Sequence, residues 1–140
     1  MKWKDYGKNP LIANLSQITM ENDTFRTAIW TGSYAQVTVM CIPPCGEIGT
    51  EFHGDTDQIL FVVDGYAFVE MGKCRCQMDW QKKACKGDMI IVPAGSWHNV
   101  KNCGRTALKL ASVYAPPKHP KGTVQLTKED EDRDSTDWAK

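Results

Sequence analysis

The chain has 140 residues, enough for one domain around one core and too few for two ordinary domains. Seventeen lysines and arginines balance 17 aspartates and glutamates, so no net positive field argues for a nucleic acid or an anionic membrane as partner. The longest apolar run, Ile59 to Val63, is far too short to span a bilayer, and Met1 to Lys8 lacks the apolar stretch of a signal peptide, which points to a cytoplasmic protein.

Glycine and proline punctuate the chain about every ten residues, with β-branched and aromatic runs between them. Leu11 to Thr19 can carry a short helix. Ala35 to Ile42 reads as the first clear strand. Gln58 to Val63 and Tyr66 to Met71 follow, and the Asp64-Gly65 pair between them predicts a hairpin. Gly87 to Val92 and His98 to Asn102 flank a Pro93-x-Gly95 turn. Cys103-Gly104-Arg105 predicts the turn of a second hairpin leading into a strand at Ala107 to Tyr114. Pro116-Pro117 and His119-Pro120 force extended or turn geometry on a segment that either crosses a barrel mouth or reaches a second subunit. Lys128 to Asp134 is a charge run that reads as a solvated short helix or frayed tail, with Thr127 placed to cap it.

Many short strands joined by tight turns imply an all-β sandwich or barrel that closes off its edges. The organisation expected is an N-terminal extension and first strands over residues 1–34, a barrel core over 35–115, and a C-terminal loop and charged tail over 116–140, in a single domain. Six cysteines (Cys41, Cys45, Cys74, Cys76, Cys85 and Cys103) contain no Cys-x-x-Cys pair. Cys74 and Cys76 would share a strand face and could bind a soft metal, but small reduced thiols are the simpler reading.

Four residues carry the chemistry. Glu51 and His53 are two apart, so on an extended strand both leave the same face. Gln58 opens the next apolar run, and His98 follows the Pro-x-Gly turn. Two imidazoles, a carboxylate and an amide oxygen can bind a divalent ion, whether Fe, Mn, Ni, Zn or Co, and leave open positions for a small molecule. By alternation Leu60 and Val62 share the face of Gln58, whereas Phe52 and Trp97 point away from the ligand face. Trp30, Met40, Phe52, Leu60, Trp97 and Tyr114 are candidates to line a cavity. Gln36 or Thr38 could supply a polar contact. His119 is either an acid or base near the mouth or a surface histidine, the second being the simpler reading.

The two segments Gly46 to Gly65 and Gly87 to Asn102 resemble the two cupin motifs. Gly87, Pro93, Gly95, His98 and Asn102 fill every fixed position of the second motif. In the first, His53 and Gly65 match, Cys45 stands at the usual glycine with Gly46 one residue late, Glu51 replaces the first histidine and Gln58 the glutamate. Asn9-Pro10, Phe25-Arg26, Trp30-Thr31-Gly32 and Tyr114 to Thr123 are similar to a bacterial and archaeal group of small single-domain cupins labelled sugar-phosphate-isomerase-like, so the resemblance covers about residues 9–127. It implies a double-stranded β-helix (a jelly-roll barrel) with short helical segments at the termini and a metal held by Glu51, His53, Gln58 and His98. It also implies a homodimer. The implied function is an enzyme on a small polar or sugar-like molecule, by isomerase, ring-opening lyase or oxygenase chemistry. A glutamine beside histidines also resembles cupins that process unsaturated uronates. The alternative is a non-catalytic small-molecule-binding or sensor protein.

Overall fold

A computed structural model describes residues 3–132. One helix and ten strands follow in order: α1 (Leu15–Glu21), β1 (Arg26–Thr31), β2 (Gln36–Ile42), β3 (Glu51–Phe52), β4 (Asp57–Asp64), β5 (Tyr66–Gly72), β6 (Trp80–Cys85), β7 (Met89–Val92), β8 (Trp97–Asn102), β9 (Leu108–Ala115) and β10 (Val124–Gln125). A helical turn covers residues 128–132. The strands form two antiparallel sheets, a six-stranded one in the order β10-β1-β2-β9-β4-β7 and a four-stranded one in the order β3-β8-β5-β6. This is the double-stranded β-helix that the cupin resemblance implied.

Both hairpin expectations are corrected. β4 and β5 lie in different sheets, as do β8 and β9. The chain at Asp64-Gly65 and at Cys103-Gly104 therefore passes from one sheet to the other instead of folding back on its neighbour. Gly65 sits at φ 98°, and a Cβ there would lie 3.0 Å from the Ala107 carbonyl oxygen, so the crossing needs a residue without a side chain. A turn signal specifies that the chain reverses. It does not specify which strand the next segment pairs with.

Alternation places the core. In β4, Gln58, Leu60 and Val62 are buried while Ile59 and Phe61 are only partly so. Register then builds rows across the large sheet: Gln36–Tyr114–Gln58–Val92, Thr38–Ser112–Leu60–Ile90 and Met40–Leu110–Val62, with Ile42 opposite Leu108. The lower rows join Val69 and Val100 of the small sheet in the main apolar core. Helix α1 covers the outer face of the large sheet by packing Ile18 on Ile29, Val39 and Ala111. Its start is fixed by Asn14, whose side chain accepts a 2.9 Å bond from the Gln17 amide.

The cysteines have no disulfide partner among the described residues. Cys74 and Cys76 lie in a turn between β5 and β6, not on a strand, with their sulfurs 3.0 Å apart. Phe52 and Trp97 stack outside the barrel at 5.1 Å between ring centroids, as their parity implies, so neither lines the interior. Trp30 is also outside the core, its Nε1 donating to the Asn9 carbonyl at 2.7 Å. Met40, Leu60 and Tyr114 are fully buried. No helix among the described residues is long and apolar enough to cross a membrane.

Candidate metal centre

Glu51 lies on β3 directly opposite His98 on β8. That register, together with the two-residue spacing of Glu51 and His53, brings all three side chains to one end of the barrel interior. Their ligating atoms all lie within 4.8 Å of one another. Glu51 Oε2 stands 3.3 Å from His53 Nε2 and 3.9 Å from His98 Nε2. Both imidazoles are buried, and the Glu51 side chain is 20% exposed.

Backbone bonds hold the two motif segments against each other. The Gly95 amide donates to the His53 carbonyl at 2.8 Å, and the Ala94 amide to Asp57 Oδ1 at 2.8 Å. Asn102 is a hub: its Nδ2 donates to the carbonyls of Ile42 and Thr106, and its Oδ1 accepts from the Gly104 amide. Gly95 takes φ 84° in the turn that aims His98 inward. Cys45 takes φ 66°, the left-handed conformation, at the position where the resemblance places a glycine.

The protonation pattern suits a cation. His98 Nδ1 faces the Ser96 carbonyl at 3.2 Å, which makes Nδ1 the protonated nitrogen and leaves the Nε2 lone pair toward Glu51. Burial pushes the His98 pKa below the ordinary 6.5, outweighing the upward pull of Glu51, so the ring stays neutral where an exposed histidine gains a proton. Burial alone would raise Glu51, but hydrogen bonds from His53 and Glu131 and the nearby Arg26 charge hold it far below the usual carboxylate range.

Gln58, the fourth expected donor, lies on β4 opposite Tyr114, whose ring packs edge-on to His53 at 6.1 Å. Its Nε2 donates to Ser112 Oγ at 3.0 Å. Its Oε1 is buried with no hydrogen-bond partner. A buried amide oxygen without a donor is costly, and a bound cation would satisfy it. The set present, one carboxylate, two imidazoles and one amide oxygen, therefore fits a divalent ion.

Two residues of the site carried no role in the sequence reading. Arg26 on β1 is completely buried. Its Nη1 lies 2.7 Å from Gln125 Oε1 and 3.2 Å from Glu131 Oε1, and its Nη2 points at the Met40 sulfur. Glu131, in the helical turn over 128–132, is 6% exposed and hydrogen-bonds Glu51 as well. Burial and the Glu51 carboxylate push Glu131 up to about 8, against the pull of Arg26. The short helix expected over Lys128 to Asp134 forms over 128–132, but it is not wholly solvated: it sends Glu131 into the barrel, while residues 133–134 lie outside the described residues. Thr127 does cap the turn, since its Oγ1 accepts from the Asp130 amide and Asp130 Oδ2 accepts from the Thr127 amide.

His119 is likewise corrected from a surface residue. Its ring packs edge-on against Tyr114 at 5.1 Å, and burial pushes its pKa strongly down. Gln36 holds it there, accepting from the Lys118 and His119 amides and donating to the His119 carbonyl. The proline-rich segment thus lies across the polar end of the barrel. Thr38 is buried in the second row and its hydroxyl has no hydrogen-bond partner.

A cupin domain model matches residues 38–114, more than half of the chain. This protein belongs to the cupin superfamily. It is 48% identical over 127 residues to the uncharacterized protein YrkC of Bacillus subtilis (strain 168), an alignment covering 91% of this chain and 68% of that one. The crystal structure of BH2720 from Bacillus halodurans superposes with a TM-score of 0.92 at 42% identity, covering 93% of this chain and 98% of that one. KdgF from Halomonas sp. shares the fold at a TM-score of 0.57 and 17% identity, over 66% of this cupin and 80% of that chain.

Proposed function

We propose that this cupin is a metal-dependent enzyme acting on a small polar or sugar-like carbonyl compound, by isomerase, ring-opening lyase or oxygenase chemistry, with Glu51, His53, Gln58 and His98 as the metal ligands. The observation that carries the reading is the convergence of Glu51, His53 and His98 within 4.8 Å inside the barrel. The orphaned Gln58 Oε1 adds to it. A divalent ion there would supply Lewis acidity to a carbonyl or hydroxyl oxygen.

The surrounding residues have definable tasks. Ser96 fixes the His98 tautomer and Ser112 orients Gln58. Tyr114 and His119 wall the polar end, and Gln36 anchors that wall. Met40, Leu60 and Leu110 close the interior beneath the site and exclude water there. The location is cytoplasmic and the assembly a homodimer in this proposal. The large sheet ends at β7, which leaves Met89 and Ile91 exposed, 60% and 46%, on an edge strand.

Screening the metal-loaded and metal-stripped protein against small carbonyl compounds and sugars tests the proposal. Product formation that requires metal is the expected result. Binding without product would move the protein to the sensor class, and neither binding nor turnover in the presence of metal would end the enzyme reading.

A further inference from the structure

Arg26 is unusual in this barrel. It occupies the inward row of Met40, Leu110 and Val62, on β1 beside the edge strand β10, with no exposed surface. A guanidinium removed from water needs an anionic partner and filled donors. Among the described residues the Glu131 carboxyl, shared with Glu51, lies 3.2 Å from the guanidinium, and Arg26 Nε has no hydrogen-bond partner. Gln125 offers a neutral oxygen and Met40 a sulfur. The second fact is where the Glu131 carboxyl sits. It lies between Arg26 and Glu51, one side on the guanidinium and the other on a proposed metal ligand. The third is how it gets there. It is carried by a five-residue helical turn near the chain end, held by its own capping bonds and a two-residue strand pairing at β10.

We propose that Arg26 and Gln125 form a carboxylate-binding subsite beside the metal centre, that the Glu131 side chain fills it in the ligand-free protein, and that the substrate is a small carbonyl compound bearing a carboxylate that displaces Glu131. This rests on the metal-centre reading given above. A molecule with a carbonyl oxygen at the metal and a carboxylate at Arg26 bridges the two sites in the way Glu131 bridges Arg26 and Glu51. Arginine suits the task because its planar fork matches a carboxylate in two-point contact, using the donors that Glu131 leaves unfilled. Glu131 is then an intramolecular competitor, and it lowers the apparent affinity by the fraction of molecules in which it occupies the seat.

The test uses full-length protein loaded with Co(II), whose visible absorption reports ligand exchange. Pyruvate is the probe and hydroxyacetone the control, which keeps the ketone and lacks the carboxylate. Glu131→Ala is expected to tighten pyruvate binding at least tenfold and to leave hydroxyacetone within twofold. Glu131→Gln keeps the shape of the side chain in case the alanine variant folds poorly, and is expected to tighten pyruvate at least threefold. Arg26→Lys added to either variant is expected to abolish the gain. Equal pyruvate affinity in wild type and both Glu131 variants, or an equal gain for hydroxyacetone, overturns the subsite while the Co(II) spectrum still stands for the metal centre. Failure of wild type to bind Co(II) at all overturns the metal centre, and the subsite with it.

Discussion

The two ends of the barrel are built from the same strands with different chemistry. Along β4 the inward residues run Gln58, Leu60, Val62, and along β8 they run His98, then Val100. Along β2 they run Gln36, Thr38, Met40, Ile42, and along β9, in the opposite direction, Tyr114, Ser112, Leu110, Leu108. Strands β2, β4 and β9 are polar at one end and apolar at the other, while β8 adds the buried hub Asn102 beyond Val100. The apolar end supplies the burial that stabilises the fold, while the polar end carries buried polar atoms that burial alone would penalise, among them Gln58 Oε1 and Thr38 Oγ1. Stability and function are thus separated by about two residues of strand, and substitutions at the two ends should separate them experimentally.

Leu110→Ala, at the apolar end, is expected to cost about 2–5 kcal/mol in denaturant unfolding and to leave one metal ion bound per chain. His98→Ala, at the polar end, is expected to do the reverse. Metal affinity falls more than about 100-fold by titration, since a ligand counts for more than the outer partners that are worth 10–100-fold, while the apo-protein unfolds within about 1 kcal/mol of wild type. If both variants lost metal and stability together, the two ends would be one cooperative unit. Ser112→Ala sharpens the boundary, because Ser112 lies in the row between them. It frees the Gln58 amide to rotate and is expected to weaken metal binding about tenfold with little change in stability. The smallest effect lies outside both ends. Cys45→Gly relieves the left-handed backbone at φ 66° and is expected to raise stability by about 1 kcal/mol with metal affinity unchanged.

What the sequence made legible follows the same division. The β-branched and aromatic runs between glycines and prolines marked β2, β4, β5, β7, β8 and β9 to within a residue or two. Strand β6, with its Lys82-Lys83 pair and mostly exposed burial pattern, has no such run and was not marked. Strand β3 is two residues long and depends on its pairing with β8. Hairpins do not form at Asp64-Gly65 and Cys103-Gly104, because these turns specify only a chain reversal, whereas partner choice depends on two sheets closing over one core. Glu51 and His53 could be read from their two-residue spacing on an extended strand, and His98 from the cupin motif it completes. Arg26 had a faint signal, a charge on the same strand face as the buried Ala28. Glu131 had none, since nothing local distinguishes it from the other acids of the Lys128 to Asp134 run. Its position is set by the capped turn and by the Arg26 charge that receives it.

Elemental analysis of the protein, purified from metal-replete medium without chelators, tests the metal centre most directly, with the Glu51→Ala variant run in parallel. One divalent ion per wild-type chain and less than a tenth of that in a folded Glu51→Ala variant is the expected result. Wild type that carries no ion and binds none on titration with Mn(II), Zn(II), Co(II), Ni(II) or anaerobic Fe(II) would contradict a metal held by Glu51, His53, Gln58 and His98.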